Sequence, residues 1–260
     1  MRFAANVSMM FQNIRMLDRF QEAKRLGFSA IEAQWLYDFL IKDLREAREA
    51  ADIPIVLINS PKCFEVFEPN SVGMACIPDQ ELNFLHSINL AVDYCKSLKC
   101  SKLHIMAGNL SDNSTFEECE QKYIKNLKTV SELLKLHNIT GVIEPICKQV
   151  LPNYFMNSYE NAVKYIKEVN SENIKLLLDV FHLHNIEGNV EEGVLKYLPY
   201  AGHIQVSQAP KRNEPFAEGP INYKNVFDIL KTCGYTGEIG LEYIPTGPVP
   251  DFEWIKECKF

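Results

Sequence analysis

At 260 residues, 47% of them hydrophobic, the chain has enough apolar material for one large domain or two small ones with a well-buried core. A formal net charge of -7, without runs of about five or more like charges, excludes the basic footprint that nucleic acid or an anionic membrane surface requires. No apolar run nears the roughly 20 residues that span a bilayer, and "MRFAANVSMMF" lacks the apolar core of a secretion signal, so the expected location is cytoplasmic and the expected partner a small molecule.

Short β-branched or apolar runs recur along the chain. In order they are "FAANVS" from Phe3, "AIEAQ" from Ala30, "IPIVLIN" from Ile53, "KLHIMAG" from Lys102, "ITGVIEP" from Ile139, "IKLLLDV" from Ile174, "AGHIQVS" from Ala201 and "GEIGLEY" from Gly237. Amphipathic stretches such as Met16 to Leu26, Leu82 to Leu98, Phe116 to His137, Tyr159 to Val169 and Asn222 to Cys233 lie between them. Strands alternating with helices, with no Gly/Ser/Pro-rich linker, predict an α/β fold in which residues 1–260 form a single (β/α)8 TIM barrel. A doubly wound open sheet is the alternative, but no strand leads into GxGxxG or GxxxxGK[ST]. The connection from Ser60 to Pro78 is the least regular and is a candidate lid.

The eight cysteines are scattered without a CxxC pair, which predicts reduced thiols. Cys147 reads as a buried or pocket-lining thiol rather than a nucleophile. His86, His104, His137, His184 and His203 make no HxH or HExxH spacing, so they read as core or surface residues and a His-rich zinc site is not expected.

Functional side chains of a barrel project from the carboxyl ends of its strands. The fifth predicted strand closes with Glu144, the sixth with Asp179, the seventh carries Gln205, and the eighth closes with Glu242. Each follows an apolar run, where an unpaired charge is costly. A lone strand-end acid is commonly a helix cap or an ion-pair partner. Four polar groups on four consecutive strands instead suggest a shared mouth and an oxygen-rich set suited to a divalent cation such as Mg or Mn. His182, Lys211, Arg212 and Glu214 gather near the same ends, and the planar fork of Arg212 makes it the better anchor for a substrate carboxylate. Trp35, Tyr37 and Asn59 either line the pocket or pack beneath the rim.

The stretches "RFAANVSMMF", "LHIMAG", "IEP", "DVFH", "GHIQVSQAPKRNEP", "INY" and "GYTGEIGLEY", in this order over nearly the whole chain, resemble the hydroxypyruvate isomerase family of xylose-isomerase-like TIM barrels. The resemblance implies metal ligands at Glu144, Asp179, Gln205 and Glu242, with Glu144 and Glu242 as the catalytic acid/base pair and His182 and Arg212 facing the substrate. It also implies interconversion of hydroxypyruvate and tartronate semialdehyde by enediolate proton transfer, with a small sugar acid as partner and oligomerisation left open. The glutamine at 205, where related sugar epimerases use histidine, points to this branch.

The chain departs from the family pattern in three places. "IEPICKQ" stands where the family commonly reads "IEPINTR", "LHNIEGN" follows "DVFH", and "GPINY" replaces a "GE(L/I)NY"-like segment. These changes leave the implied ligand set intact but open the choice of substrate. A 2-oxo-tetronate isomerase, a keto-sugar 3-epimerase and a non-catalytic sugar-acid-binding protein are the competing readings. A metal-dependent DNA-repair endonuclease is disfavoured by the acidic charge and the scarcity of histidine.

Overall fold

The computed structural model describes residues 1–62, 72–110, 114–247, 252, 254 and 255. Eight parallel strands close into a barrel in sequence order, β8 pairing with β1. They are β1 (Arg2–Asn6), β2 (Ala30–Ala33), β3 (Ile55–Asn59), β4 (Lys102–His104), β5 (Thr140–Ile143), β6 (Ile174–Asp179), β7 (Ala201–Val206) and β8 (Glu238–Leu241). Every predicted strand coincides with an observed one. All five residues of β3 are buried, as are all four of β2, because core side chains cover one face and helices the other.

The crossovers carry α1 (Asp18–Arg25), α2 (Ile41–Ala51), α3 (Glu81–Leu98), α4 (Phe116–Leu136), α5 (Tyr159–Val169), α6 (Val180–Glu187), α7 (Val190–Tyr197) and α8 (Tyr223–Thr232). Local chemistry sets several starts. Thr115 and Glu118 form a reciprocal capping box at α4, Ser158 caps α5, and Asn222 caps α8. Sequence periodicity did not single out α2, α6 or α7. The latter two split one crossover at Gly188, whose φ of 80° ends α6, and at Asn189, whose side chain caps α7.

Two connections shape the mouth. The candidate lid is described only at its ends, residues 63–71 lying outside the described residues. Its return limb packs on the exit of β4, with Cys76 N–H donating to the Ala107 carbonyl at 2.7 Å and Gly108 N–H to that of Val72 at 3.0 Å. Gly73 is required there, since its φ is 98° and a Cβ would fall 2.3 Å from the Met106 carbonyl oxygen. The other connection follows β7. The buried Gln208 amide donates to the carbonyls of Pro215 and Ile221 and accepts from the N–H groups of Ala209 and Ile221, so one side chain organises the loop that carries Arg212.

Cys76, Cys95, Cys100, Cys119 and Cys147 are buried free thiols and Cys233 an exposed one, while Cys63 and Cys258 lie outside the described residues. No helix among the described residues is long and apolar enough to cross a membrane.

Candidate active site

Glu144 directly follows β5, Asp179 ends β6, Gln205 lies near the end of β7, and Glu242 directly follows β8. All four are buried at the carboxyl-terminal mouth. Parallel register sets Asp179 beside Gln205. Asp179 also begins α6, its Oδ1 accepting the Phe181 N–H at 2.8 Å, and this immediate strand-to-helix turn brings His182 back over the mouth. His182 Nε2 lies 3.6 Å from Asp179 Oδ2 and 3.8 Å from Glu144 Oε1. Glu144, Asp179 and His182 each offer one donor atom within 4.8 Å of the others.

Burial raises the Glu144 carboxyl well above the ordinary range, with the Glu242 and Asp179 charges adding to the effect. Burial also lifts Asp179 to about 7, against the pull of the Arg212 guanidinium and with a further push from Glu242. His182 is held well below its usual value by burial and by Arg212, and His104 is lowered to about 3 by burial, so both rings are neutral near pH 7. Cys147 can partner either neutral tautomer of His182: its N–H donates to a bare Nδ1 at 3.2 Å, and its Sγ, also at 3.2 Å, accepts from a protonated one. Burial raises the Cys147 thiol, which keeps it protonated and unlike an activated nucleophile.

Arg212 is more deeply engaged than a substrate anchor alone would be. Its Nη2 donates to Asp179 Oδ2 at 3.0 Å and to Glu242 Oε2 at 2.5 Å, and Nη1 lies 3.3 Å from His182 Nε2. Burial opposes its charge, but Glu242, Asp179 and Glu144 outweigh burial and raise its pKa. The Arg212 backbone sits at φ 52°, a left-handed conformation costing about 1 kcal/mol for a residue with a Cβ. It is pinned by Gln208 N–H donating to the Asn213 carbonyl and by Ile244 N–H donating to that of Arg212.

Other sequence candidates sit outside this centre. Lys211 is exposed, and Glu214 accepts from Thr246, tying the Arg212 loop to the chain after β8. Tyr37 donates to the Asn59 carbonyl, and Lys62 lies 4.0 Å over the Trp35 ring, so these residues form one side of the rim. Sequence reasoning missed Asn6, Glu32, Gln34 and His104. Asn6 Nδ2 and Gln34 Nε2 donate to Glu242 Oε1 at 3.2 and 3.0 Å, and His104 Nδ1 lies 3.5 Å from Glu144 Oε2. A polar residue inside an otherwise buried strand was the available signal for Asn6 and Glu32.

The donor set fits a divalent cation. Glu144 Oε1 and Gln205 Oε1 are buried and accept no hydrogen bond among the described residues, and hard oxygen donors with a neutral imidazole nearby suit Mg²⁺ or Mn²⁺.

Residues 20–258 match the family described as Xylose isomerase-like TIM barrel. The chain belongs to this family. Among curated proteins, it is 35% identical to a Danio rerio protein named "Putative hydroxypyruvate isomerase", covering 99% of this chain and 95% of that protein. It is 34% identical to a Haemophilus influenzae 2-oxo-tetronate isomerase, covering 99% of each. A Brucella melitensis structure described as AP endonuclease, family 2, superposes with a TM-score of 0.93 at 32% identity over 98% of each chain. With relatives so named at full coverage, this xylose isomerase-like barrel falls in the hydroxypyruvate isomerase group and is an isomerase.

Proposed function

We propose that this isomerase interconverts hydroxypyruvate and tartronate semialdehyde through an enediolate, with the whole of residues 1–260 acting as one catalytic domain. The observation that carries the reading is the pair of buried carboxylates Glu144 and Glu242, delivered by β5 and β8 to one mouth that also holds Asp179, His182 and Arg212. The reaction moves one proton from C3 of hydroxypyruvate to C2, while the hydroxyl proton passes from O3 to O2. A planar enediolate needs a group to take the first proton and a group to supply the second, and carboxylates on different strands can do both. One of Glu144 and Glu242 takes the C3 proton, and the other returns a proton to C2.

Arg212 presents a guanidinium to the substrate carboxylate, and His182 faces the hydroxyl and carbonyl oxygens. Glu144, Asp179, Gln205 and Glu242 would hold a divalent cation, with His182 as a nearby nitrogen donor. When bound, such a cation supplies Lewis-acid stabilisation of the negative charge on the enediolate oxygens.

The titrations give a direct check on the cation. Asp179, at about 7 in the folded chain, binds a proton there that the unfolded chain releases near the ordinary value of about 4. Its contribution to metal-free stability is therefore complete below about pH 4 and lost as pH rises through about 7. Metal ligation needs the deprotonated form, so affinity runs the other way. Added Mn²⁺ is expected to raise the melting temperature more at about pH 8 than at about pH 5, and EDTA to remove that gain. Equal shifts at both pH values would exclude the buried carboxylates as ligands.

A substrate panel checks the remainder. Hydroxypyruvate should give a higher kcat/KM than a four-carbon 2-oxo-tetronate or a ketohexose. Preference for the four-carbon acid would transfer the function to that substrate, as in the Haemophilus influenzae relative's name. Binding without turnover of any of them would favour a sugar-acid-binding protein. A nucleic-acid substrate fits poorly with a net charge of -7 and three carboxylates at the mouth.

A further inference from the structure

A buried carboxylate that the proton transfer does not use lies beside the mouth. Glu32, on β2, is fully buried. Its Oε1 accepts from Gln205 Nε2 at 2.7 Å and Asn6 Nδ2 at 2.9 Å, and its Oε2 lies 2.7 Å from His203 Nε2. The other ring nitrogen, Nδ1, lies 3.4 Å from Lys102 Nζ. An ammonium only donates, so a neutral His203 presents its lone pair to Lys102 and its proton to Glu32. Space for the carboxylate comes from Gly240 on β8, where a Cβ would fall 2.2 Å from Glu32 Oε2.

The consequence falls on Gln205. A side-chain amide has a donating end and an accepting end, and a carboxylate draws the donating one. With Nε2 committed to Glu32, Oε1 is the end left over, buried and accepting no hydrogen bond among the described residues. A free amide could present either end to a ligand; this one is restricted to its oxygen. Buried groups behind a ligating side chain commonly set its orientation in this way.

We propose that Glu32 is a positioning residue, its carboxylate fixing the Gln205 amide so that Oε1 is presented to the ligand at the mouth. The inference deepens the proposed function by naming what orients one of its donors. A purely structural Glu32 would affect stability without acting through Gln205.

A double-mutant cycle separates the two. Glu32→Gln is made in the native chain and in Gln205→Ala, folding is checked by circular dichroism, and two readouts are taken: the Mn²⁺ dissociation constant from the electron paramagnetic resonance of free ion, and the rate of deuterium exchange into hydroxypyruvate. In the native chain Glu32→Gln is expected to weaken Mn²⁺ binding and slow exchange by roughly 10–100-fold. With Gln205→Ala the same change should have an effect smaller by at least about fivefold, since its target is gone. A smaller difference between backgrounds in both readouts, or no effect in the native chain, overturns the proposal. If Glu32→Gln does not fold, Gly240→Ala replaces it in the cycle, crowding Oε2 while leaving the carboxylate in the chain. Should the native chain bind no Mn²⁺, the cation reading fails and the exchange cycle decides; should it exchange no hydroxypyruvate, the substrate reading fails and the Mn²⁺ cycle decides. A chain inactive in both readouts shows no coupling and also overturns the proposal.

Discussion

Glu144→Gln is expected to lower the turnover of hydroxypyruvate by about 10²–10⁴-fold while the barrel stays folded. The substitution keeps the shape of a buried side chain while removing its ability to accept and return a proton and its negative charge as a cation ligand. Burial and the neighbouring Glu242 and Asp179 charges already disfavour the ionised form, and Oε1 accepts no hydrogen bond among the described residues. Neutralising the group relieves those penalties, so the variant should melt at or above the temperature of the native chain. Lost turnover with retained or increased stability is the signature of a group kept for chemistry. Turnover close to native would remove Glu144 from the acid/base pair, and a large fall in melting temperature would make its role structural.

Arg212→Ala is expected to affect both stability and substrate binding. The guanidinium bridges Asp179 and Glu242 and is mostly buried, so its removal leaves carboxylates without their cation and should destabilise the metal-free chain by roughly 3–5 kcal/mol, read by urea denaturation. The KM for hydroxypyruvate should rise by roughly 10–150-fold, corresponding to the about 1.5–3 kcal/mol of a hydrogen bond to a charged group. Arg212→Lys restores charge but not the fork that reaches both acids, so it should recover stability more fully than KM. An unchanged KM in Arg212→Ala would place the guanidinium in a structural role alone, and an unchanged KM in Arg212→Lys would show that charge without the fork is enough to hold the substrate.

The barrel was legible because its strands are buried on both faces and therefore stand out as apolar runs, and because no linker composition interrupts them. The mouth acids were legible for a related reason: a carboxylate closing an apolar run needs a partner from elsewhere in the chain. Glu32 escaped because the chemistry was sought at the carboxyl ends of the fifth to eighth strands, whereas Glu32 lies inside β2, all four of whose positions the closed barrel buries. Its partners also depend on register, which sets Asn6 beside Glu32 and Asn59 beside His104, and a sequence does not print its own pairing. His104 and His203 read only as core or surface residues; the fold buries both, and their contacts with Glu144 and Glu32 come from strands far apart in the chain. The engagement of Arg212 with Asp179 and Glu242 likewise depends on the fold of the Gln208 loop rather than on spacing. Helices α6 and α7 were missed because a single crossover holds both, divided only by Gly188 and Asn189.

Enediolate proton transfer at a mouth built around Glu144 and Glu242 leaves a distinctive isotopic signature. Its most direct test is proton NMR of hydroxypyruvate incubated with the protein in heavy water, beside the Glu144→Gln variant. The expected product is tartronate semialdehyde carrying solvent deuterium at C2, with that signal lost in the variant. Product formed without deuterium, or equal exchange by the variant, would contradict this mechanism.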